Sequence, residues 1–235
     1  MILEEDFEKI LDEVILENDK VVVLYSGIWT FIYNINFRLK NKSLIPHKIL
    51  DIIEKKIGKN KTLFLPSFSG GFFSKNRTFN ITKGIDKDNG ILPIIGLERK
   101  YFRTLQPIHS YIAFGNLKDV KKLKLKSSWG KNSLLEFFSK KNARICTLGL
   151  PWYQGCAYLH RFEELYKVSW RYNKKFTANI INNGKKSGKC HEIKYCSSKL
   201  KPLNYSFRPF VKHIENAKSF KKSQNKLIKF ESIKA

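Results

Sequence analysis

VVVLYSG, at residues 21–27, is the stretch that decides the fold class. Its first six residues form a short, continuous apolar run, which is typical of a strand buried on both faces. TLFLPSFS at 62–69 predicts a second buried strand that ends in a loop. Between them lies an apolar helical pattern that begins near Pro46, which suits a first helical turn, and stops at Gly58. A helix between two buried strands predicts parallel pairing in an α/β architecture.

The flanking segments extend this pattern. Apolar residues at helical spacing near the N-terminus predict a first helix with one buried stripe. The stripe consists of Phe7, Ile10, Leu11, Val14 and Ile15. Downstream, NSLLEFFSKK at 132–141 predicts another helix, and ARICTLGL at 143–150 predicts a third short strand. We therefore expect an α/β fold with a mixed, largely parallel central sheet flanked by helices.

Other segments carry weaker patterns. Residues 70–100 contain Gly, Asn and Pro without clear periodicity, so we expect a long ordered loop, a feature that is usually functional. A further helix is expected over Ser110–Phe114 and beyond. Residues 211–235 hold seven lysines and two glutamates, which predicts a basic, solvated helix or a frayed tail. The length favours one domain over 1–235.

Composition excludes several classes of protein. Apolar residues make up 42% of the chain and aromatic residues 14%, which is enough material for a buried core and excludes disorder. No apolar run approaches the roughly 18 residues of a membrane span. The acidic N-terminus lacks the basic start of a signal peptide, and the four cysteines form no dense disulfide framework. We expect a reduced, cytoplasmic protein without a membrane span.

The net charge narrows the class of ligand. Lys+Arg 45 against Asp+Glu 20 gives +25, a charge that repels polycations and attracts polyanions. Codon bias in an AT-rich genome is an alternative source of part of this charge, because Lys, Asn and Ile are abundant. Basic runs such as Lys118–Lys126 could bind nucleic acid, but no nucleic-acid motif accompanies them. A solvated face is the interpretation we favour for them.

Two short motifs carry candidate chemistry. His160 and Glu163 share a face if they are helical, so the carboxylate could orient the imidazole as a general base for an amine or hydroxyl. A surface ion pair is the alternative. Ser26 and Gly27 directly follow a buried strand and resemble a phosphate-facing turn, although no Walker or dinucleotide glycine pattern follows. Cysteine and histidine spacing predicts no metal site, since the fourth ligand is missing.

The motifs form an ordered set across the chain. They are VLYSG (23–27), TLFLPSFS (62–69), GILPI (90–94), RTLQPIHSYIAFG (103–115), WGKNS (129–133), LGL (148–150), LHRFEE (159–164) and WRYNKKF (170–176). In order and spacing, over about residues 20–180, this set resembles the aminoglycoside 3-N-acetyltransferase family, also called the antibiotic N-acetyltransferase family. No single segment is specific, but the ordered set is hard to obtain by chance.

The resemblance implies transfer of an acetyl group from acetyl-coenzyme A to an amine, without a metal. His160 would remove the proton from the amine, and Glu163 would orient the imidazole. The resemblance also implies an acyl-donor cleft lined by Ser26, Gly27, Arg103, Thr104, Ser110 and Ser133. For the last four residues, a structural arginine and helix-capping hydroxyls are the alternative.

Three positions depart from the family's pattern. Gln106 stands where the family has the histidine of a His-Pro pair, and His109 follows three residues later. Ala157 replaces a threonine three residues before the expected base, and Ile94 replaces the glutamate of a Leu-Pro-Glu step. Loss of that glutamate weakens the case for a polycationic antibiotic as substrate. Whether Gln106 and Ala157 leave the enzyme active is left open.

The charge and Ile94 together favour an anionic acceptor. We predict an acetyl-coenzyme A-dependent N-acetyltransferase that acts on the amine of an amino sugar, linked to a nucleotide, in surface polysaccharide biosynthesis. An aminoglycoside antibiotic N-acetyltransferase is the alternative. Of another class, a basic nucleic-acid-binding module or a catalytically inactive scaffold remains open.

Overall fold

The computed structural model describes residues 1–70, 77–155, 157–197 and 208–235, in which helices alternate with the strands of two sheets. The helices are α1 (Glu4–Val14), α2 (Ile45–Ile57), α3 (Leu92–Glu98), α4 (Leu134–Lys140), α5 (Trp152–Gly155), α6 (Leu159–Leu165) and α7 (Arg208–Glu215). The strands are β1 (Val21–Ser26), β2 (Thr62–Pro66), β3 (Thr78–Asn80), β4 (Phe102–Arg103), β5 (Tyr111–Gly115), β6 (Arg144–Leu148), β7 (Arg171–Asn182), β8 (Lys185–Ser197), β9 (Lys221–Lys222) and β10 (Phe230–Lys234).

The larger sheet has seven strands in the order β4-β5-β2-β1-β6-β10-β9. Its three central strands, β2, β1 and β6, are parallel, and every strand outside them pairs antiparallel. The expected α/β fold with a mixed sheet flanked by helices is thus confirmed. Within this sheet, parallel pairing is confined to these three central strands. The sequence analysis instead expects parallel pairing to dominate the whole sheet.

Strand β1 shows why the apolar run is continuous. Val22 and Leu24 pack on one face with α1 and α2, in a core that includes Phe7 and Ile49. Val21, Val23 and Tyr25 pack on the opposite face with the phenylalanines of α4. Both faces of the strand are therefore removed from water, which is why apolar residues occupy consecutive positions of its sequence.

The expected helix over Ser110–Phe114 is wrong, because this segment forms strand β5. Its backbone pairs antiparallel with β2 on one side and with β4 on the other. Four apolar residues in a row fit a short helix and a buried strand equally well, and the neighbouring strands decide between them. The expected long loop at 70–100 contains β3 and α3, while its residues 71–76 lie outside the described residues.

The expected basic helix or frayed tail at 211–235 is also wrong beyond the end of α7. Strand β10 lies inside the larger sheet, antiparallel to β6, with Phe230 fully buried. The lysines and glutamates of this segment make its composition typical of an exposed tail, so composition does not predict the strand. Their charges are accommodated at its ends, where Lys234 forms an ion pair with Asp19 and Lys229 forms one with Glu231.

The smaller sheet, β3-β7-β8, is built on a long hairpin that the sequence analysis does not predict. Asn183 and Gly184 connect its strands, and both have positive φ, as a two-residue hairpin turn requires. The hairpin joins the larger sheet's loops through Ile193, which exchanges backbone hydrogen bonds with Lys126 and Ser128. Within the described ranges, no helix has the length and apolar character needed to cross a bilayer.

Candidate active site

His160 and Glu163 lie one helical turn apart on α6. The imidazole Nδ1 and the carboxylate Oε2 are 2.5 Å apart. The Glu163 side chain is 4% exposed, whereas that of His160 is 35% exposed, so the pair reaches from the interior to solvent. The shared helical face expected from the sequence is therefore present.

Two residues from other elements complete this arrangement. Arg171, at the start of β7, places Nη2 2.7 Å from Oε2 of Glu163. Trp129 stacks on His160, with ring centroids 4.6 Å apart and an angle of 23° between the planes. The Arg171 guanidinium lies 5.3 Å from the same indole. Sequence reasoning missed both residues as site residues, because they approach His160 only through the fold.

The contacts fix the orientation of the His160 ring. Nδ1 lies 2.5 Å from the Glu163 carboxylate and 3.2 Å from Arg171 Nη2, so protein groups already occupy this nitrogen. Among the described residues, no hydrogen bond engages Nε2. That nitrogen is therefore the one available to accept a proton from a bound molecule.

A second imidazole, His109, lies against the same indole, with ring centroids 5.4 Å apart. Its Nδ1 is 2.7 Å from Oε1 of Glu192, a carboxylate of β8 with no exposed surface. Ser128 Oγ donates to the same oxygen, and the backbone N–H groups of Ile108 and His109 donate to Oε2. Burial alone would raise the pKa of Glu192, but His109, Ser128 and the N–H of Ile108 outweigh it and hold the pKa below its usual range.

Gln106 plays a different part from His109. Its side chain is buried, and Nε2 donates to the carbonyl oxygen of Ser127 at 2.7 Å. His109 is the residue of this loop that contacts Trp129. Gln106 therefore connects two loops, whereas His109 is the imidazole of this loop that lies against Trp129.

Ser26 and Gly27 lie at the carboxyl end of β1, the edge of parallel strands at which α/β sheets bind ligands. The backbone is closely packed there. A Cβ on Gly27 would come within 2.7 Å of Leu150, and a Cβ on Gly149 would come within 2.5 Å of the Gly27 carbonyl. Glycine is therefore required where the ends of β1 and β6 meet.

Arg103, Thr104 and Ser110 form a buried network. Arg103 donates to the carbonyl oxygens of Asn80 and Lys83 at 2.8 and 2.7 Å, and burial lowers its pKa to about 10. Ser110 Oγ accepts from Arg103 Nε at 3.1 Å, and Thr104 Oγ1 accepts from the backbone N–H of Tyr111. These side chains hold loops together, which favours the structural alternative over contact with the acyl donor.

Ser133 is the N-cap of α4, and its hydroxyl accepts from the backbone N–H of Glu136 at 3.0 Å. This geometry likewise favours the capping alternative. No group of three His, Cys, Asp or Glu side chains in the described part of the chain could hold a metal ion. The Cys190 thiol has its pKa raised to about 12, mainly by burial and also by Glu192, so it stays protonated at neutral pH.

Comparison with known proteins places this geometry in a family. The chain matches the aminoglycoside 3-N-acetyltransferase family over residues 46–233. The comparison with curated proteins found no match. Among solved structures, aminoglycoside acetyltransferase AAC(3)-IIb superposes with a TM-score of 0.75 at 12% identity, covering 100% of this chain and 92% of that one.

Two further structures are similar. The binary complex of AAC-IIIb with CoASH has a TM-score of 0.73 at 14% identity and covers 98% of this chain and 90% of that one. AAC-VIa bound to sisomicin has a TM-score of 0.73 at 10% identity and covers 97% and 91%. At these identities the likeness shows the fold, while the family match extends over most of the chain. The protein therefore belongs to the aminoglycoside 3-N-acetyltransferase family and is an N-acetyltransferase.

Proposed function

We propose that the protein transfers the acetyl group of acetyl-coenzyme A to an amine of an amino sugar, with His160 as the general base. The observation that carries this proposal is the imidazole held between Glu163 and Trp129 with Nε2 unengaged among the described residues. Such a nitrogen can take the amine proton while the amine attacks the thioester carbonyl.

The contacts of Glu163 and Arg171 allow the His160 imidazole to be neutral. The carboxylate accepts from Nδ1 of His160 and also pairs with the guanidinium of Arg171. Since Arg171 already compensates the charge of Glu163, a neutral imidazole can stay in place without an unpaired buried carboxylate. A neutral ring is the form that accepts a proton.

The proposed acyl donor is supported by a relative. The AAC-IIIb structure is a complex with CoASH, and its fold covers nearly all of this chain. We place the pantetheine or pyrophosphate at Ser26 and Gly27, because ligands of α/β sheets bind at the carboxyl ends of parallel strands. The glycines there pack against Leu150, Thr30 and each other, which fixes the backbone at the ends of β1 and β6.

An aminoglycoside is the acceptor that the comparisons support better. The family carries that name, and the similar AAC-VIa structure is bound to sisomicin. This is the alternative interpretation of the sequence, and it now stands ahead of the nucleotide-linked sugar.

A nucleotide-linked amino sugar of surface polysaccharide biosynthesis is the second candidate. Two specific observations favour it. Both carboxylates beside Trp129, those of Glu163 and Glu192, are already paired with cationic or hydrogen-bonding side chains. Ile94 lies half-buried on α3, at the position where the family resemblance implies a glutamate. An ammonium-rich antibiotic gains little from such a site, while the +25 charge attracts a diphosphate.

The test is thiol release from acetyl-coenzyme A with a panel of aminoglycosides and nucleotide-linked amino sugars, with the amide product identified by mass spectrometry. His160→Asn should lower kcat by about 10²–10⁴-fold, the usual worth of a positioned base. Glu163→Gln should lose less. The matched control is His191→Asn, which changes an exposed imidazole and should leave kcat unchanged.

Full activity of the His160→Asn variant would overturn the assignment of the base. The absence of thiol release from the wild-type protein with every amine would overturn the enzymatic proposal itself. Salt-dependent retention of an oligonucleotide would then support the nucleic-acid-binding alternative.

A further inference from the structure

Two histidine–glutamate pairs meet at one indole. His160 with Glu163 and His109 with Glu192 each have Nδ1 held by a carboxylate, and both imidazoles pack against Trp129. In each ring, no hydrogen bond from the described residues engages Nε2. The sequence does not reveal that the two pairs are alike. Glu163 follows its histidine within one helix, whereas Glu192 comes from a strand distant in sequence from His109.

The two carboxylates differ in their charge partners. Glu163 has the guanidinium of Arg171 at 2.7 Å in addition to its histidine. Glu192 has no ion pair with a lysine or arginine among the described residues, and its other donors are the neutral Ser128 hydroxyl and two backbone N–H groups. A buried carboxylate without a cation is costly, so Glu192 favours a protonated His109. Environments that push two titratable groups apart mark an acid and a base.

The charged and titratable side chains around this indole come from four elements. They are His109 from the loop before β5, Glu192 from β8, His160, Arg161, Glu163 and Glu164 from α6, and Arg171 from β7. Arg161 donates to the carbonyl oxygen of Trp129, and Glu164 lies against Gly130. Arg103 contacts the adjacent Ser110 and is occupied by carbonyl oxygens. In this set, Glu163 pairs with the Arg171 guanidinium in addition to His160, whereas Glu192 pairs with His109 alone.

We propose that His109 is a second catalytic residue, an imidazolium that donates a hydrogen bond from Nε2 to the thioester carbonyl oxygen while negative charge develops there. The proposal deepens the acetyl-transfer function and rests on it. His109 precedes β5 at the edge where Pro66 of β2 pairs with Tyr111, which is the carboxyl end of the parallel strands. Ligands of such sheets bind at that edge.

The proton balance of the reaction needs no further reactant. The amine nitrogen forms a bond to the carbonyl carbon, and the π electrons move to the oxygen, which accepts the hydrogen bond from His109. His160 takes one proton from the amine. The carbonyl then re-forms, the C–S bond breaks, and His160 returns that proton to the thiolate, so that His109 keeps its own proton throughout.

The test is the pH dependence of kcat/KM for the wild-type protein and for His109→Gln. The control is His191→Gln, which makes the same substitution at an exposed histidine of β8. Loss of a preorganised oxyanion donor costs about 10²–10³-fold in kcat. We expect His109→Gln to lose activity to that extent and to lose the fall of kcat/KM at alkaline pH. The His191→Gln profile should match that of the wild type.

Glu192→Gln supplies a second variant with a retained imidazole. Without its buried carboxylate, His109 should give up its proton more readily, and the alkaline limb should move to lower pH. A purely structural role of Glu192 would lower thermal stability without moving that limb. A limb unchanged in both variants would overturn the proposal.

A readout that does not depend on turnover separates this inference from the proposed function. Long-range proton–nitrogen NMR spectra report the protonation of each imidazole, and the His109 and His160 signals are assigned by their loss in His109→Gln and His160→Asn. At the pH of the kinetic assay, both nitrogens of the His109 ring should carry a proton, and one nitrogen of the His160 ring should. A singly protonated His109 would overturn the inference, whereas a wild-type protein with the expected protonation but no thiol release would overturn the acetyl-transfer function.

Discussion

Two glycines in this chain share a left-handed backbone and differ in their surroundings. Gly149, after β6, has φ of +76°, and Gly184, in the hairpin turn, has φ of +78°. A Cβ on Gly149 would come within 2.5 Å of the Gly27 carbonyl and 2.6 Å of Thr30 Oγ1, whereas one on Gly184 would meet no atom within 4 Å. Substituting the two glycines therefore distinguishes the energetic cost of backbone strain from the cost of close packing at the strand ends.

We expect Gly184→Ala to lower the free energy of unfolding by about 1–2 kcal/mol, the cost of a left-handed alanine. Gly149→Ala should lose this and a further ~1–3 kcal/mol for overpacking. Urea denaturation of the two variants measures the difference. Equal losses would show that the strand ends have room for a methyl group and would contradict the close packing at Gly149.

Asp19 is a buried carboxylate that connects the ends of two strands. Its Oδ2 accepts from Arg144 Nε of β6 at 3.0 Å, and its Oδ1 lies 2.5 Å from Lys234 Nζ of β10. Burial alone would raise the pKa of Asp19, but Lys234, Arg144 and the backbone N–H of Leu16 outweigh it, and the net shift is downward. The folded protein therefore holds this proton less tightly than the unfolded chain does.

The sign of the pH effect follows. Stability from Asp19 is fully present above the unfolded pKa, about 3.9, and is lost as pH falls through the lower folded value. Asp19→Asn should cost about 3–5 kcal/mol at pH 7, because it leaves Arg144 buried without its charge partner. The free energy of unfolding of this variant should also decrease less steeply than that of the wild type as the pH falls below 5.

Chemical denaturation at several pH values tests this prediction. The control is Asp12→Asn, which removes an exposed ion pair with Lys56 and should cost less than about 1 kcal/mol. A pH dependence of Asp19→Asn that equals that of the wild type would contradict the assignment.

At the scale of elements, β10 is the segment whose structure differs most from the one that its sequence pattern predicts. FESIK at 230–234 contains two charged residues in five, yet it pairs along its length with β6. Phe230 is fully buried in the core shared with α1 and α2, and Ser232 is also buried. The strand is therefore part of the core rather than a tail.

Phe230→Ala should lower the free energy of unfolding by about 3–5 kcal/mol, the usual cost of a buried Phe→Ala change. Leu227→Ala, three residues earlier at a 45% exposed position, should change it by less than about 0.5 kcal/mol. Denaturant unfolding curves give both values. A small loss for Phe230→Ala would mean that the C-terminal segment does not hold the sheet together.

The β7–β8 hairpin is the element that completes the candidate site. Its first strand begins with Arg171, which pairs with Glu163, and its second strand carries Glu192, which pairs with His109. One hairpin thus supplies a group to each histidine. The Asn-Gly turn that sets its register lies at the far end of both strands.

At the scale of the whole molecule, the charge of +25 has a measurable consequence for the acyl donor. Screening shortens to about 8 Å at physiological ionic strength, so the attraction of a positive field for coenzyme A phosphates weakens as salt rises. We expect the Kd of acetyl-coenzyme A to increase with salt, and dephospho-coenzyme A to bind more weakly than coenzyme A at low salt.

Acetyl-pantetheine is the matched ligand, because it keeps the thioester and lacks the phosphates. Its affinity should change little over the same salt range in titration calorimetry. Equal salt dependence for both thioesters would show that the attraction of the positive field for the phosphates does not contribute to recognition of the donor.

The sequence by itself determined the elements whose burial pattern is local. The apolar period of α1, α2 and α4, and the continuous runs of β1, β2 and β6, are visible in a few residues, because each face of such an element meets the core directly. The spacing of His160 and Glu163 belongs here too, since i and i+3 share a face in any helix. The ordered motifs along these elements were enough to indicate the family.

Only the tertiary structure decided the pairings between distant segments. Tyr111–Gly115 is a strand because β2 and β4 flank it, and Phe230–Lys234 is one because β6 and β9 do. Arg171, Trp129, Glu192 and His109 meet His160 and Glu163 for the same reason. Backbone pairing and ion pairs depend on which groups the fold brings within hydrogen-bond distance, and that information is not contained in the spacing of residues along the chain.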